Sequence, residues 1–468
     1  MIGKKSRVHF IGIGGSGMSG LAELLVNLGH TVSGSDLQRN DVTERLASLG
    51  VRVYQGHAPE HVGEADVVVV SSAVRSTNPE VVEAERRHVP VIPRAEMLAE
   101  LMRLRSGIAV AGAHGKTTTS SMIAMALERA GLDPTAVIGG RLSTFGSNAR
   151  LGRGEWMVAE ADESDRSFLR LSPRFAVITN IDYEHLEAYR SFDDLQQAFA
   201  DFANKVPANG AVVLCADDPH LRAIRPKLTC RVVTYALDAE ADFTAQDIVL
   251  DGLHASCTVR RRTVEARTGR VTDLAIGQLR LSVPGRHNLQ NALAAVAVGA
   301  ELAVPFETIA RALGEFRGAD RRFQVLGVER GVTVVDDYGH HPTEIRTVLA
   351  AARIQRPARV IVVFQPHRFT RTQQLLGDFG TALADADEII LTDIYAAGED
   401  PIAGVTIDAL AQVIRAAGHK AVQVVRSLDD VPAQVSGRAQ AGDLVVMLGA
   451  GSIGSSGLKV LGALRRRG

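Results

Sequence analysis

A short loop between a predicted strand and a predicted helix carries the residues best suited to chemistry on phosphate groups. The strand-like residues 108–111 lead into Gly112-Ala113-His114-Gly115-Lys116-Thr117-Thr118, and a helical pattern follows over residues 117–130. A glycine turn and a helix N-terminus together present backbone N–H groups to an anion. Lys116 is placed to reach terminal phosphates, and the Thr117 hydroxyl to bind Mg²⁺. The usual eight-residue loop has glycine where this chain has Val110, so the loop is a shortened variant.

Acidic and histidine side chains follow the next two predicted strands. Glu160 comes directly after residues 156–159, with Asp162, Glu163 and Asp165 behind it, and His185 follows residues 175–179. The carboxyl ends of parallel strands form a ligand crevice, where a carboxylate suits Mg²⁺. A solvated acidic loop is an equally good reading of the carboxylates. A lone histidine is more often structural than a ligand.

A second glycine-rich turn lies near the N-terminus. The sequence Gly12-Ile13-Gly14-Gly15-Ser16-Gly17 fits GxGxxG between a strand and a helix, and Asp36 follows 19 residues after Gly17. This spacing is typical of a site for a pyrophosphate and a ribose. A nicotinamide dinucleotide and a UDP-sugar fit it equally, and a tight packing turn is the alternative without a ligand.

Polar clusters occupy the remaining strand and helix ends. His287 and Asn288 precede an alanine-rich helical run, where they either face a base or cap the helix. Tyr338 and His340 follow a predicted strand at residues 332–335. Arg368 and Arg371 are three residues apart, so on one helical turn they could fork onto a carboxylate. Surface solubility explains these arginines equally well.

The elements that must position these residues alternate between strand and helix in three stretches. Such alternation predicts an α/β fold of parallel sheets with flanking helices. Residues 231–283 are rich in short β-like runs, and we expect a small antiparallel appendage there. Residues 315–322 are a polar hinge candidate. We predict three domains: a Rossmann-like domain at 1–106, a central P-loop ATPase-like domain at 107–316 and a Rossmann-like domain at 317–468.

Composition excludes several classes of protein. The 468 residues carry 52 Lys+Arg and 53 Asp+Glu, a balance that argues against binding nucleic acid or a membrane surface. Three scattered cysteines fit a reducing compartment. No apolar run is long enough for a signal or membrane insertion. We therefore expect a cytoplasmic protein, monomeric or a weak homo-oligomer.

Seven motifs in one order together resemble the Mur ligase family of peptidoglycan synthesis. They are GIGGSGMSG, GAHGKTTT, AEADESD, TNIDYEHLE, GRHNLQNALAA, DDYGHHP and QPHRFTR, and they span the chain. The first and last are most similar to the branch that adds the first amino acid. The resemblance implies a ligase that uses ATP with Mg²⁺ or Mn²⁺ to join L-alanine to UDP-N-acetylmuramate through an acyl phosphate.

The resemblance also implies roles for particular residues. Lys116, Glu160, His185 and His340 are expected to be catalytic, and Thr117, Glu160 and His185 to bind metal. The expected ATP site comprises Gly112, Ala113, His114, Gly115, Lys116, Thr117, Thr118, His287, Asn288, Asn291, Arg322 and Asp337. The expected UDP-sugar site comprises Gly12, Gly14, Gly15, Ser16, Gly17, Asp36 and Ser71. The expected amino-acid site comprises Tyr338, His340, Arg368 and Arg371.

One departure from the wider family concerns a second metal. Many relatives carry a carbamylated lysine about fifteen residues after the equivalent of His185, but residues 196–204 contain no lysine and Lys205 is out of register. The alanine-adding branch shares this feature, so that role is not assigned.

Four alternatives remain open from the sequence. A nicotinamide-dependent oxidoreductase leaves Lys116 unexplained, and a P-loop kinase or NTPase switch leaves the first domain without a purpose. A non-catalytic binding protein would tolerate loss of Lys116. The recycling ligase of the same family, which adds an intact tripeptide, differs in its acceptor substrate.

Overall fold

Three β-sheets organise the chain, which confirms the predicted three-domain α/β fold. The computed structural model describes residues 5–466 apart from residues 72, 143–146, 185–187, 266–267 and 420. His185 therefore lies outside the described residues. The domain boundaries at 106/107 and 316/317 remain predictions.

The first sheet has five strands in the order β3-β2-β1-β4-β5, and all of its pairs are parallel. Its strands are β1 (Arg7–Ile11), β2 (Thr31–Asp36), β3 (Arg52–Gln55), β4 (Val67–Val70) and β5 (Val91–Pro93). The central strand β1 is buried on both faces, as a parallel sheet covered by helices requires. The glycine-rich turn follows β1 directly, so the sheet places it at a carboxyl edge.

The second sheet has ten strands in the order β15-β14-β13-β12-β11-β10-β6-β9-β7-β8. They are β6 (Ser106–Ala111), β7 (Thr135–Leu142), β8 (Ser147–Arg150), β9 (Trp156–Glu160), β10 (Phe175–Ile178), β11 (Ala211–Cys215), β12 (Val232–Ala236), β13 (Phe243–Asp251), β14 (His254–Val264) and β15 (Val271–Leu281). The central strand β6 pairs in parallel with β9 and β10. The loop after β6 therefore lies between the ends of two neighbouring strands.

Two features of this sheet correct the sequence analysis. Strand β12, which we expected in the antiparallel appendage, pairs in parallel with β11, with Val212 opposite Val232. Its valine-rich run is buried, as in the other central strands. The appendage itself is β13 to β15: a two-residue turn joins β13 to β14, which only an antiparallel pair allows. The antiparallel pair β7–β8 had no sequence signal.

The third sheet has six strands in the order β16-β17-β21-β18-β19-β20. They are β16 (Gln324–Glu329), β17 (Val332–Asp337), β18 (Val360–Phe364), β19 (Glu388–Leu391), β20 (Val422–Val424) and β21 (Leu444–Leu448). Side chains alternate along β18: Val360, Val362 and Phe364 enter one core, whereas Ile361 and Val363 enter the other. Strand β16 is the antiparallel edge strand.

The described residues form fifteen α-helices. They are α1 (Ser16–Asn27), α2 (Asp41–Ser48), α3 (Pro79–Arg86), α4 (Arg94–Met102), α5 (Lys116–Arg129), α6 (Phe192–Ala203), α7 (Pro219–Ile224), α8 (Arg286–Glu301), α9 (Phe306–Glu315), α10 (Pro342–Ile354), α11 (Phe369–Gln374), α12 (Leu376–Ala382), α13 (Ile407–Ala416), α14 (Val431–Arg438) and α15 (Ser456–Arg466). Among the described residues, no helix combines the length and apolar character needed to cross a membrane.

The chain divides into two compact units. One unit contains residues 1–247, 257–280 and 290–316, and the other contains residues 248–256, 281–289 and 317–468. The first unit includes the first sheet and most of the second. The second unit includes the third sheet, and each unit is described by itself below.

A buried carboxylate ties together the carboxyl side of the first sheet. Glu80, in α3, has no exposed surface and accepts hydrogen bonds from Ser35 Oγ at 2.6 Å and from His61 Nδ1 at 2.9 Å. His9 Nε2, from β1, lies 3.4 Å from the same carboxylate. Burial alone raises the pKa of Glu80, but the hydrogen bonds from His9, Ser35 and His61 outweigh it and lower the pKa to about 2. Glu80 therefore stays ionised and holds β1, β2 and α3 in register.

Replacing this carboxylate should destabilise the first sheet. We expect Glu80→Ala to lower the free energy of unfolding at pH 7 by about 2–4 kcal/mol, because buried polar partners lose their acceptor. The pKa of Glu80 is depressed, so its stabilisation is present above the ordinary pKa of 4.5 and is lost as pH falls towards 2. Urea denaturation of both proteins between pH 7 and pH 3 measures the difference.

The exposed Glu85, on the same helix, provides the control, and Glu85→Ala should change stability by less than about 0.5 kcal/mol. Equal stability of Glu80→Ala and the unmodified chain at pH 7 would contradict the role of this network.

Candidate active site

The phosphate loop turns sharply between β6 and α5, as the sequence predicts. Gly112 has φ +130° and Gly115, the residue before α5, has φ +82°. A Cβ atom at Gly112 would lie 2.2 Å from Thr179 Oγ1, and one at Gly115 would lie 2.8 Å from Asn291 Oδ1. Both backbone conformation and close packing therefore require glycine at these two positions.

Two residues after β10 hold the loop in place. Thr179 Oγ1 donates to the His114 carbonyl at 2.6 Å, and Asn180 Nδ2 donates to the same carbonyl at 3.0 Å. Asn180 also accepts, through Oδ1 from the His114 N–H at 2.9 Å and through its carbonyl from the Ala113 N–H at 3.3 Å. The Ala113 and His114 N–H groups are therefore already hydrogen-bonded to Asn180. The backbone N–H groups in the first turn of α5 are the ones that would bind an anion. Thr179 and Asn180 were not among the site residues predicted from the sequence.

The phosphate-loop lysine points into a group of oxygen atoms. Lys116 Nζ donates to the Gly112 carbonyl at 2.5 Å and lies 2.8 and 2.9 Å from the two carboxyl oxygens of Glu163. Burial on its own would lower the pKa of Lys116, but Glu163, Asp162 and Glu184 outweigh it and raise the pKa. The ammonium therefore stays charged. The sequence placed Glu163 in an acidic run but did not distinguish it as the partner of Lys116.

Glu160 and Thr117 supply oxygen atoms at the same edge of the sheet. Glu160 ends β9 opposite Val110, two residues before the phosphate loop, and its Oε1 accepts from the Gly139 N–H at 2.6 Å. Thr117 lies in the first turn of α5 and is mostly buried. A carboxylate and a hydroxyl are ligands that Mg²⁺ prefers, so this donor set fits the expected ion.

The carbamylated lysine that many relatives carry has no counterpart in α6, as the sequence predicts. Lys205 lies two residues beyond the last residue of that helix and is exposed. This placement agrees with its being out of register in the sequence.

The glycine-rich turn after β1 opens into a cavity of about 630 Å³. Of the predicted UDP-sugar residues, the cavity is lined by Gly12, Gly14, Gly15, Asp36 and Ser71. Asp36 Oδ2 accepts from the Gly14 N–H at 2.9 Å, so the carboxylate also fixes the turn. Gly17 lies in α1, where a Cβ atom would meet the Arg94 guanidinium at 2.6 Å, and its contact with a UDP-sugar remains a prediction.

A histidine that the sequence analysis did not single out also lines this cavity. His57 Nδ1 lies 3.0 Å from Ser35 Oγ, and Ser35 Oγ donates its own proton to Glu80. His57 must therefore donate through Nδ1, which leaves Nε2 as the acceptor of a neutral ring. The buried Glu80 network thus extends to the cavity wall.

The other predicted ATP residues fall in both units. Asn291, in the first unit, packs against the phosphate loop and accepts from Thr119 Oγ1 at 3.2 Å. In the second unit, Asn288 Nδ2 donates to the Pro284 carbonyl at 2.7 Å and so stabilises the start of α8. Asp337 accepts from the Phe323 and Gly339 N–H groups, both at 2.7 Å. Nucleotide contacts by His287, Asn288, Arg322 and Asp337 remain predictions.

Four aromatic rings form a row at the carboxyl edge of the third sheet. The ring centroids of Tyr338 and His340 are 5.6 Å apart, those of His340 and His367 are also 5.6 Å apart, and those of His367 and Tyr395 are 5.5 Å apart. Burial, and after it the nearby charges of His340, Arg371 and Arg368, lower the pKa of His367 to about 3. The His367 ring is therefore neutral. The structure thus brings the predicted Tyr338 and His340 together and adds His367 and Tyr395.

The two arginines do not share a helical turn, contrary to our expectation. Arg368 precedes α11 with φ +69°, whereas Arg371 lies inside that helix. Arg371 Nη1 lies 3.1 Å from His367 Nδ1, and Arg368 Nε lies 4.0 Å from Glu399 Oε1. The turn before α11 sends the two guanidinium groups to different neighbours. A joint role on one carboxylate remains a prediction.

A methyl group at Gly112 should disable the phosphate loop. We expect Gly112→Ala to weaken binding of a non-hydrolysable ATP analogue at least about tenfold, because φ +130° and the contact with Thr179 both oppose a Cβ atom. Titration calorimetry measures the affinity. Gly377→Ala is the matched control, since that glycine has open space around it and should leave the affinity unchanged. Equal affinities of the two variants would refute the steric argument.

Comparison with known protein families gives three matches along the chain. Residues 7–106 match the Mur ligase family, catalytic domain; residues 110–299 match the Mur ligase middle domain; and residues 321–451 match the Mur ligase, glutamate ligase domain.

Similar proteins and structures agree with these matches. The chain is 52% identical to a UDP-N-acetylmuramate–L-alanine ligase of Anaeromyxobacter sp., over 98% of both chains. It is 51% identical to the ligase of that name from Syntrophotalea carbinolica, over the full length of both. The crystal structure of a UDP-N-acetylmuramate–alanine ligase from Thermotoga maritima has a TM-score of 0.82 at 28% identity, covering 98% of this chain and 99% of that one. A murein peptide ligase from Psychrobacter arcticus has a TM-score of 0.71 at 27% identity, covering the same shares. The chain belongs to the Mur ligase family.

Proposed function

We propose that this protein is an ATP-dependent ligase that joins L-alanine to the lactyl carboxylate of UDP-N-acetylmuramate. The observation that carries the proposal is the 51–52% identity, over almost the whole of each chain, to ligases named for this reaction. The phosphate loop, the cavity beside the first sheet and the row of four aromatic rings at the third sheet supply one candidate site for each substrate.

The first step is transfer of the γ-phosphoryl group of ATP to a carboxylate oxygen. The bond between the γ-phosphorus and its bridging oxygen breaks, ADP leaves, and an acyl phosphate forms. Two anions must approach each other in this step, so fixed positive charge is needed. Lys116 supplies one positive charge, and the first turn of α5 supplies N–H donors. Thr117 and Glu160 would hold Mg²⁺, which offsets phosphate charge when bound.

The second step is attack of the alanine amine on the acyl carbon. Phosphate leaves with its bridging oxygen, and the nitrogen loses a proton. His340 is our candidate to accept a proton from the alanine ammonium. Its Nδ1 lies 3.1 Å from the Tyr338 carbonyl, which can only accept, so Nδ1 carries the hydrogen and Nε2 is the ring atom that would take up a proton.

The UDP portion of the substrate is assigned to the 630 Å³ cavity of the first sheet. Gly12, Gly14 and Gly15 let backbone approach a pyrophosphate closely, and Asp36 is placed near a ribose. Because the cavity lies in the first unit together with the phosphate loop, that unit carries the candidate sites for the pyrophosphate of UDP and for the phosphates of ATP.

A phosphate-release assay tests the proposed reaction. We expect release of phosphate from ATP only when UDP-N-acetylmuramate and L-alanine are both present, and loss of that release by at least about a hundredfold in Lys116→Ala. Release that proceeds without the amino acid would contradict the proposal.

The second candidate function is transfer of an intact tripeptide, because the murein peptide ligase of Psychrobacter arcticus has a similar fold. Its lower identity makes it the weaker candidate. Supplying the tripeptide in place of L-alanine distinguishes the two, and the tripeptide should support no phosphate release.

The proposed base gives a separate prediction. His340→Ala should lower kcat by about a hundredfold or more, with a smaller effect on the KM for ATP, because only the amine-attack step loses its proton acceptor. Steady-state kinetics with all three substrates measure both constants. His254→Ala, at an exposed histidine of β14, is the control and should behave like the unmodified chain. Near-normal turnover of His340→Ala would remove this residue from the mechanism.

A further inference from the structure

The ammonium group of Lys116 has no hydrogen-bonding capacity left for a nucleotide. Four oxygen atoms lie within 3.2 Å of Nζ: the carbonyls of Gly112 and Ala113 and both carboxyl oxygens of Glu163. An ammonium has only three N–H groups. A phosphate oxygen must therefore replace one of these partners before Lys116 can bind it.

Glu163 differs from the two carbonyls in charge and in burial. It is 2% exposed, and among the three residues it is the one whose carboxyl group forms an ion pair with Lys116. The Glu163 carbonyl accepts from the Tyr189 hydroxyl and, at 3.1 Å, from the Arg166 N–H. Tyr189 is itself buried beneath the Arg166 guanidinium, 4.8 Å from the ring centroid. The backbone that carries the Glu163 carboxyl group is thus fixed from two sides and cannot follow Lys116 outward.

We propose that Glu163 is a positioning residue for the phosphate-loop lysine: its carboxyl group holds the Lys116 ammonium and competes for it with the terminal phosphates of the incoming nucleotide. ATP then binds by exchange, in which the Lys116–Glu163 ion pair is loosened as a Lys116–phosphate pair forms. This inference rests on the proposed use of ATP. It implies that Glu163 keeps ATP affinity below what the loop alone would give.

The competition predicts that loss of the carboxylate tightens nucleotide binding. Glu163→Gln keeps the shape and one acceptor oxygen but replaces the second oxygen with an amide donor and removes the charge. We expect a non-hydrolysable ATP analogue with Mg²⁺ to bind this variant about tenfold more tightly. Binding of AMP should not change, because AMP lacks the phosphates that Lys116 reaches. Titration calorimetry without UDP-N-acetylmuramate or L-alanine measures both, so its result is independent of the ligase assay.

Two further variants make the result specific. Asp165→Asn removes one charge from an exposed position in the same segment, and the affinity of this control should match that of the unmodified chain. Glu163→Asp keeps the charge but shortens the side chain, and we expect a smaller tightening in the same direction. A purely structural role of Glu163 would weaken binding of both nucleotides. Analogue binding that is unchanged or weaker in the folded Glu163→Gln or Glu163→Asp protein overturns the proposal.

Discussion

The parallel alignment of β6, β9 and β10 is the constraint on which the candidate active site depends. Their carboxyl ends meet at one edge, so the phosphate loop, Glu160 and the Thr179–Asn180 pair become neighbours although they are far apart in sequence. The phosphate loop is shorter than the usual eight-residue loop. Hydrogen bonds from the end of β10 hold its central peptide, and this supports a loop shorter than the usual one.

Buried carboxyl groups in the first and second sheets each contact polar or charged partners. Lys116 is buried against Glu163, and the first sheet contains a similar arrangement, in which Glu80 is buried against histidine and serine side chains. The two carboxyl groups differ in what surrounds them. Hydrogen bonds keep Glu80 ionised with a pKa of about 2, whereas burial raises the pKa of Glu163 above its ordinary value against the opposing effect of Lys116. Glu80 therefore serves the fold, whereas Glu163 is the carboxylate that we propose gives way to a phosphate group at Lys116.

The sequence predicted the parts of this account that depend on local pattern. Glycine spacing located both turns, and strand-length apolar runs located the parallel sheets. It could not identify Glu163, because AEADESD offers four carboxylates within seven residues and only the turn after β9 decides which one meets Lys116. Arg368 was misplaced for a similar reason, since its left-handed backbone could not be read from its residue type. Glu80 was not among the residues predicted from the sequence, because its burial comes from contacts with β1 and β2 that are distant in the chain.

Isotope transfer tests the central claim, that ATP activates a carboxylate as an acyl phosphate, most directly. UDP-N-acetylmuramate labelled with ¹⁸O in its lactyl carboxylate is turned over with ATP and L-alanine, and the released phosphate is analysed by mass spectrometry. The account predicts one ¹⁸O atom in each phosphate, because the carboxylate oxygen that attacks phosphorus leaves with it. Phosphate that contains no ¹⁸O, with product still formed, would contradict the account.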